Sequence, residues 1–196
     1  MDDELGPDDA LPRRPARVLV TGASGSGKTW LARDVARRLG TDHVEIDALF
    51  WGPGWTERPT FVDDVTALAT RPGWVTEWQY CAVRELLAER ADLVVWLDLP
   101  RWRVLGQVVR RTLSRRLRRT SLWNANVEPP LWRFMTDPEH IVRWSWTTHA
   151  RVAPRVAELR RTRPDLPVVR LRSRQEVRRW SVGPLARAAA GAPDQT

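Results

Sequence analysis

An α/β fold, with strands of a parallel sheet alternating with helices in three layers, follows from three observations. The apolar run Arg17-Val-Leu-Val-Thr21 leads into a glycine-rich turn, and the turn leads into a helical pattern from Thr29 to Leu39. Further short apolar runs at residues 43–47, 74–77, 91–98 and 167–172 recur between helical patterns, which predicts five strands. The 196 residues suit one domain of this class with a real buried core.

Residues 1–16 are rich in Asp and Pro without apolar periodicity, so a disordered tail is expected there. The domain proper is expected over 17–182. After the first strand, Gly22, Ala23, Ser24, Gly25, Ser26, Gly27, Lys28 and Thr29 fit the pattern G-x-x-x-x-G-K-[ST] at every position. Its glycines let the backbone turn tightly and aim several N–H groups inward, while the next helix points its partial positive end at the same place. Such a loop cradles phosphates. Lys28 would reach the β- and γ-phosphates of a nucleotide and the Thr29 hydroxyl would ligate magnesium, with Trp30 immediately behind them. Of the 32 basic residues, 31 are Arg, so Lys28 is the sole lysine in the chain. A compact ammonium fits between phosphates where a planar guanidinium fits differently.

Leu31, Val35 and Leu39 carry the first helix to a stop at Gly40. His43-Val-Glu-Ile-Asp47 reads as a second strand ending in two acids, Glu45 and Asp47. Ligands of parallel sheets sit at strand tips, so Asp47 is a candidate to orient or deprotonate a phosphoryl acceptor, against the alternative of a turn or helix cap. Leu49 to Pro59, dense in Gly, Pro and aromatic residues, is expected to be a loop closing over the acceptor, followed by a short helix from Phe61 to Ala69. Trp74-Val-Thr-Glu77 is the third strand. Glu77 at its end is placed to hold a water of the magnesium shell. Trp78, Gln79 and Tyr80 would line the crevice, and Arg84 would bind an acceptor phosphate or lie on a helix surface.

Val83, Leu86 and Leu87 mark the next helix, and Ala91 to Asp98 is the clearest buried strand. Asp98 then opens a helix, as a cap in preference to the competing magnesium role. Residues 101–119 form an amphipathic helix with a basic face, from which Arg111 and Arg115 are candidates to neutralise the transferring group. A lid region is expected at about 110–136. Asp137-Pro-Glu-His140 starts a long helix containing Pro154, whose Arg151 and Arg155 face either phosphates or solvent. Pro167 to Arg172 is the last strand, Gln175 to Trp180 a short helix, and 183–196 a fraying tail.

Composition narrows the function. The net charge of +8 is unevenly spread: residues 1–100 hold 11 basic and 17 acidic side chains, residues 101–196 hold 21 and 7. The basic half suits polyanions, nucleotides or nucleic acid, or is simply solvated. No apolar run approaches the roughly 20 residues that span a bilayer, and the acidic start lacks a signal-peptide pattern, so a cytoplasmic location is expected. One cysteine, Cys81, and three scattered histidines offer no zinc-site spacing. The twelve tryptophans are expected mainly in the core.

With these motifs the chain resembles P-loop kinases of the adenylate-kinase-like group. The likeness rests on the Gly22 to Thr29 loop, Glu45-x-Asp47, the turn Trp74 to Gln79, and Leu97-Asp-Leu-Pro100 with Arg111. Through Asp47-Ala-Leu-Phe-Trp51, Gly54-Trp55 and Leu122-Trp-Asn-Ala-Asn126 it looks closest to the small bacterial DNA topology modulation proteins, over nearly the whole chain. The resemblance implies a nucleoside-monophosphate-kinase-like P-loop NTPase sandwich and a phosphotransferase using ATP and Mg2+ on a nucleotide or small-molecule acceptor, as monomer or dimer. The alternatives are a nucleotide-dependent DNA-binding regulator and a nucleotide switch with negligible chemistry. Two positions depart from the kinase pattern. Trp30 stands where those enzymes carry a second Ser or Thr, and Glu77-Trp-Gln replaces an Asp-Gly turn.

Overall fold

The computed structural model describes residues 4–104, 106 and 141–191, the side chains of 141–148 excepted. The strands are β1 (Glu4–Leu5), β2 (Arg17–Gly22), β3 (Trp74–Glu77), β4 (Leu93–Leu97) and β5 (Val168–Leu171). They form one parallel sheet in the order β1-β5-β4-β2-β3, so the strand that carries the glycine-rich loop lies inside it. Among the described residues the helices include α1 (Lys28–Leu39), α2 (Ile46–Phe50), α3 (Phe61–Ala69), α4 (Arg84–Arg90), α5 (Ile141–Thr162), α6 (Arg174–Val182) and α7 (Pro184–Ala190).

Two-residue periodicity along the strands builds two cores. Val18 and Val20 of β2, with Leu93, Val95 and Leu97 of β4, face α1, α6 and α7. Leu19, Val94, Trp96 and Val168 face the opposite way, against α3, α4 and α5. Each central strand is thus buried on both faces, and the three-layer α/β/α sandwich expected from the sequence is the observed one. α1 stops where Gly40 takes a left-handed conformation and its N–H returns to the Ala36 carbonyl. α6 starts on a reciprocal cap, with the Glu176 amide donating to Ser173 Oγ at 3.1 Å and the Glu176 carboxylate accepting from the Arg172 amide at 2.7 Å.

Several expectations are corrected. Residues 43–47 do not form a strand: the pairing is a single bridge, His43 to Val75, and the chain then turns into α2. The cause is the Glu77 carboxylate, which accepts the Ile46 amide at 3.1 Å and satisfies a donor at the start of that helix. The fifth strand is β1, drawn from the supposed tail. Glu4 is held there by Arg160 and Arg170 at 3.2 and 3.1 Å, ion pairs invisible to local pattern. Within the loop expected at Leu49 to Pro59, Trp51 and Glu57 pair in a single antiparallel bridge. Trp78 is a core residue whose indole donates to the Arg84 carbonyl at 3.0 Å, so it does not line a crevice. Asp98 is not a helix cap. It accepts two bonds from the Arg170 guanidinium, at 2.9 and 2.6 Å.

Residues 184–190 also depart from the expected fraying, because α7 packs on α6 and α1 with Leu185 fully buried, while 192–196 lie outside the described residues. Leu185→Ala should therefore lower unfolding free energy by about 2–5 kcal/mol in urea titration, the usual range for a buried leucine. A change within experimental error would mean that this helix contributes nothing to the fold.

Candidate functional site

The carboxyl ends of β2 and β3 bring four sequence-distant segments together. Gly22 ends β2 with φ of 154°, and a Cβ there would lie 2.8 Å from both the Leu97 carbonyl oxygen and Ser26 Oγ. Only glycine allows this close approach of loop to sheet. Gly25 and Gly27 also have positive φ, and the space beside Gly27 is open where a Cβ would point. Backbone amides turned by such residues, at the start of a twelve-residue helix, form a concavity suited to an anion. Lys28 is buried and its Nζ donates to the Ala23 carbonyl at 3.1 Å, across the loop. Ala23 in turn packs with Leu99 and Val104, anchoring the loop to the segment after β4.

Glu77 closes β3 with its side chain almost wholly buried. Burial alone would raise its pKa. The hydrogen bond from His43, at 3.3 Å, the Ile46 amide and the Thr29 hydroxyl outweigh that and hold the carboxyl below its usual value. Thr29, 48 positions away in sequence, thus lies close enough to Glu77 to act on its carboxyl. The pair offers hard oxygen donors beside the phosphate loop, the chemistry that magnesium takes.

Asp47 lies in the first turn of α2, not at a strand tip. Its Oδ1 accepts from Tyr80 Oη at 2.6 Å and from Gln79 Nε2 at 3.2 Å. Burial pushes its pKa above the usual aspartate value. The Tyr80 bond and the Lys28 charge pull the other way, and the charges of Glu77 and Glu45 add to the rise. The Tyr80 phenol is pushed up by burial and by Asp47, so it remains a donor. Tyr80 has φ of 53°, unusual for a non-glycine residue, and its ring stacks on Phe50 at 4.0 Å. Packing plus the Asp47 bond hold that strained backbone in place. Phe61 meets the same ring edge-on.

Among the comparisons with known proteins, no protein-family model matches the chain and no curated protein matches it. Among the solved structures that are similar are two kinases. One is a gluconokinase from Sinorhizobium meliloti 1021, 21% identical over 91% of this chain and 95% of that one, with a TM-score of 0.48. The other is a sugar kinase from Janibacter sp. HTCC2649, 20% identical over 93% and 100%, with a TM-score of 0.49.

Of the residues singled out by sequence, the structure brings together the loop from Gly22 to Thr29, Asp47, Glu77 and Gln79. Glu45 pairs with Arg33 of α1, and its charge also acts on Asp47. The Arg84 guanidinium rests on Cys81 Sγ at 2.9 Å. Trp30 is 67% exposed on the first turn of α1. Arg111, Arg115, the lid region and most of the basic stretch lie outside the described residues. Sequence reasoning misses the contact of His43 with Glu77 and that of Tyr80 with Asp47. Nothing local marks them, because each acts through a partner more than 30 positions away.

Proposed function

We propose that this protein is a P-loop phosphotransferase that uses ATP and magnesium to phosphorylate a hydroxyl on a small acceptor. The observation that carries the reading is that Asp47, held by Tyr80 and Gln79, lies close enough to Lys28 and Glu77 for their charges to act on its carboxyl, with Thr29 acting on Glu77 in turn. The loop amides and Lys28 would hold the β- and γ-phosphates. Thr29 and Glu77 would hold the magnesium ion, which when bound supplies neutralisation of phosphate charge. Asp47 would accept the acceptor's hydroxyl proton as its oxygen bonds to the γ-phosphorus and the bond to the β–γ bridging oxygen breaks, releasing ADP. Tyr80 and Gln79 fix Asp47 through one oxygen, leaving the other for the acceptor. Trp30 would flank the nucleotide beyond its phosphates.

Incubation with γ-labelled ATP and a panel of hydroxyl compounds tests this directly. Label in an acceptor supports it, and label in water alone, across the panel, makes the protein a hydrolase or switch instead. Glu77→Gln should also raise the magnesium needed for half-maximal turnover by about 10- to 100-fold, as loss of an outer-sphere carboxylate does. An unchanged magnesium dependence would remove Glu77 from that role.

A further inference from the structure

His43 reaches the middle of the site from a segment that otherwise only borders the sheet. Residues 42–44 run beside β3 without becoming a strand: the Val75 amide donates to the Asp42 carbonyl at 2.9 Å, and the Val44 amide to the Val75 carbonyl at 3.0 Å. His43 bridges Val75, so its side chain stands on the sheet face shared by Val75 and, two residues on, Glu77. Its Nε2 meets Glu77 Oε1 at 3.3 Å, and the Ile46 amide donates to Oε2 at 3.1 Å. An ionised carboxylate only accepts, which makes Nε2 the donor. The two side chains are 8% and 3% exposed, so bulk water does not readily replace this contact when it is lost. The terminal torsion of a glutamate is broad, and the single bond at Oε2 would leave the plane of the group free to turn. The second grip, at Oε1, stops that rotation. A carboxylate has about four lone-pair sites, of which His43 and Ile46 take two. Thr29 acts on the same carboxyl from the phosphate loop.

We infer that His43 is a positioning residue, whose Nε2–H fixes the plane of the Glu77 carboxylate and so presets that group for magnesium. The inference rests on the phosphotransferase reading, in which Thr29 and Glu77 hold the ion, and adds a residue that acts only through Glu77. Hydrogen bonds behind a metal-binding carboxylate commonly contribute about 10- to 100-fold in metal affinity. Substitutions at His43 separate the donor from the bulk of the ring. The amide nitrogen of an asparagine stands near the place of Nδ1 and stops short of Glu77, whereas that of a glutamine reaches the place of Nε2.

The test is the factor by which magnesium tightens binding of the β,γ-imido analogue of ATP, taken from calorimetric dissociation constants with excess magnesium and with EDTA. No turnover is involved. In His43→Asn the factor should fall about 10-fold while affinity in EDTA stays as in wild type. His43→Leu, which fills the space of the ring without a donor, should lose the same factor, and it serves where His43→Asn folds poorly. His43→Gln should keep the factor within about twofold, because its amide supplies the donor. In a Glu77→Gln background, adding His43→Asn should lower it by less than about twofold, as for residues that act through one another. A factor that both His43→Asn and His43→Leu retain overturns the inference alone. Equal losses with magnesium and with EDTA also overturn it, making His43 a support of the whole loop. A loss in His43→Gln as large as in His43→Asn assigns the effect to the ring's packing and overturns it as well. Wild-type protein that binds the analogue no better with magnesium than with EDTA, or not at all, overturns the magnesium-dependent phosphotransferase reading and the inference together.

Discussion

Lys28→Ala should lower nucleotide turnover by about 1000-fold or more, since a preorganised charge in a partly dry site is among the largest single contributions to transfer. Lys28 is the sole lysine, is buried, and spans the loop to the Ala23 carbonyl. Its removal takes the positive charge from the phosphate cradle while the loop conformation, set by Gly22 against the Leu97 carbonyl and by Ala23 against Leu99 and Val104, has its own supports. The melting midpoint should therefore stay within a few degrees of wild type, as for other changes that spare packing. Lys28→Arg is the sharper variant. A guanidinium keeps the charge but is planar and larger, so it should restore little of the turnover. Full activity in either variant, measured by release of ADP, would sink the assignment of the loop.

Asp47→Asn should lower acceptor phosphorylation by about 100- to 10,000-fold, the usual contribution of a positioned base, while ATP affinity changes little. Equal losses of both would speak against the acceptor role. The pH dependence gives a second signature. Because the folded-state pKa of Asp47 is raised, its base form appears only at higher pH than for an ordinary aspartate. Wild-type phosphorylation should accordingly fall on the acid side within a displaced window, and this limb should be missing from the residual activity of Asp47→Asn. The same shift fixes the sign for stability. A carboxyl whose pKa is raised on folding favours the folded state below its unfolded pKa, and that contribution is lost as pH rises through the folded value. Above the folded value the ionised Asp47 is thus a burden on the fold, and there Asp47→Asn should melt no lower than wild type. Such tension between stability and site chemistry is common where function needs a buried charge.

Chemistry carried by a contiguous stretch was legible in the chain, and chemistry assembled across the sheet was not. The loop from Gly22 to Thr29 could be read in full because its spacing dictates its own backbone geometry. Glu77 was legible as the end of an apolar run. Asp47 was legible as an acid, but its helix, its partners and its raised pKa were not, because they depend on Tyr80 and Glu77 reaching it from β3 and the turn beyond. Arg84 shows the same limit: sequence offered it for an acceptor phosphate or a helix surface, and only the structure sets its guanidinium on Cys81 Sγ.

By itself, then, the sequence determined the α/β class, the central strands, the phosphate loop and the unique lysine, since each rests on local periodicity or on backbone conformations that few residues adopt. Only the tertiary structure decided that the first residues close the sheet as β1, that 43–47 bend into a helix, and that Thr29 meets Glu77 while Tyr80 meets Asp47. Those outcomes are set by pairings between distant charges and hydrogen-bonding groups, whose free energy exists only once folding has brought them out of water and into contact.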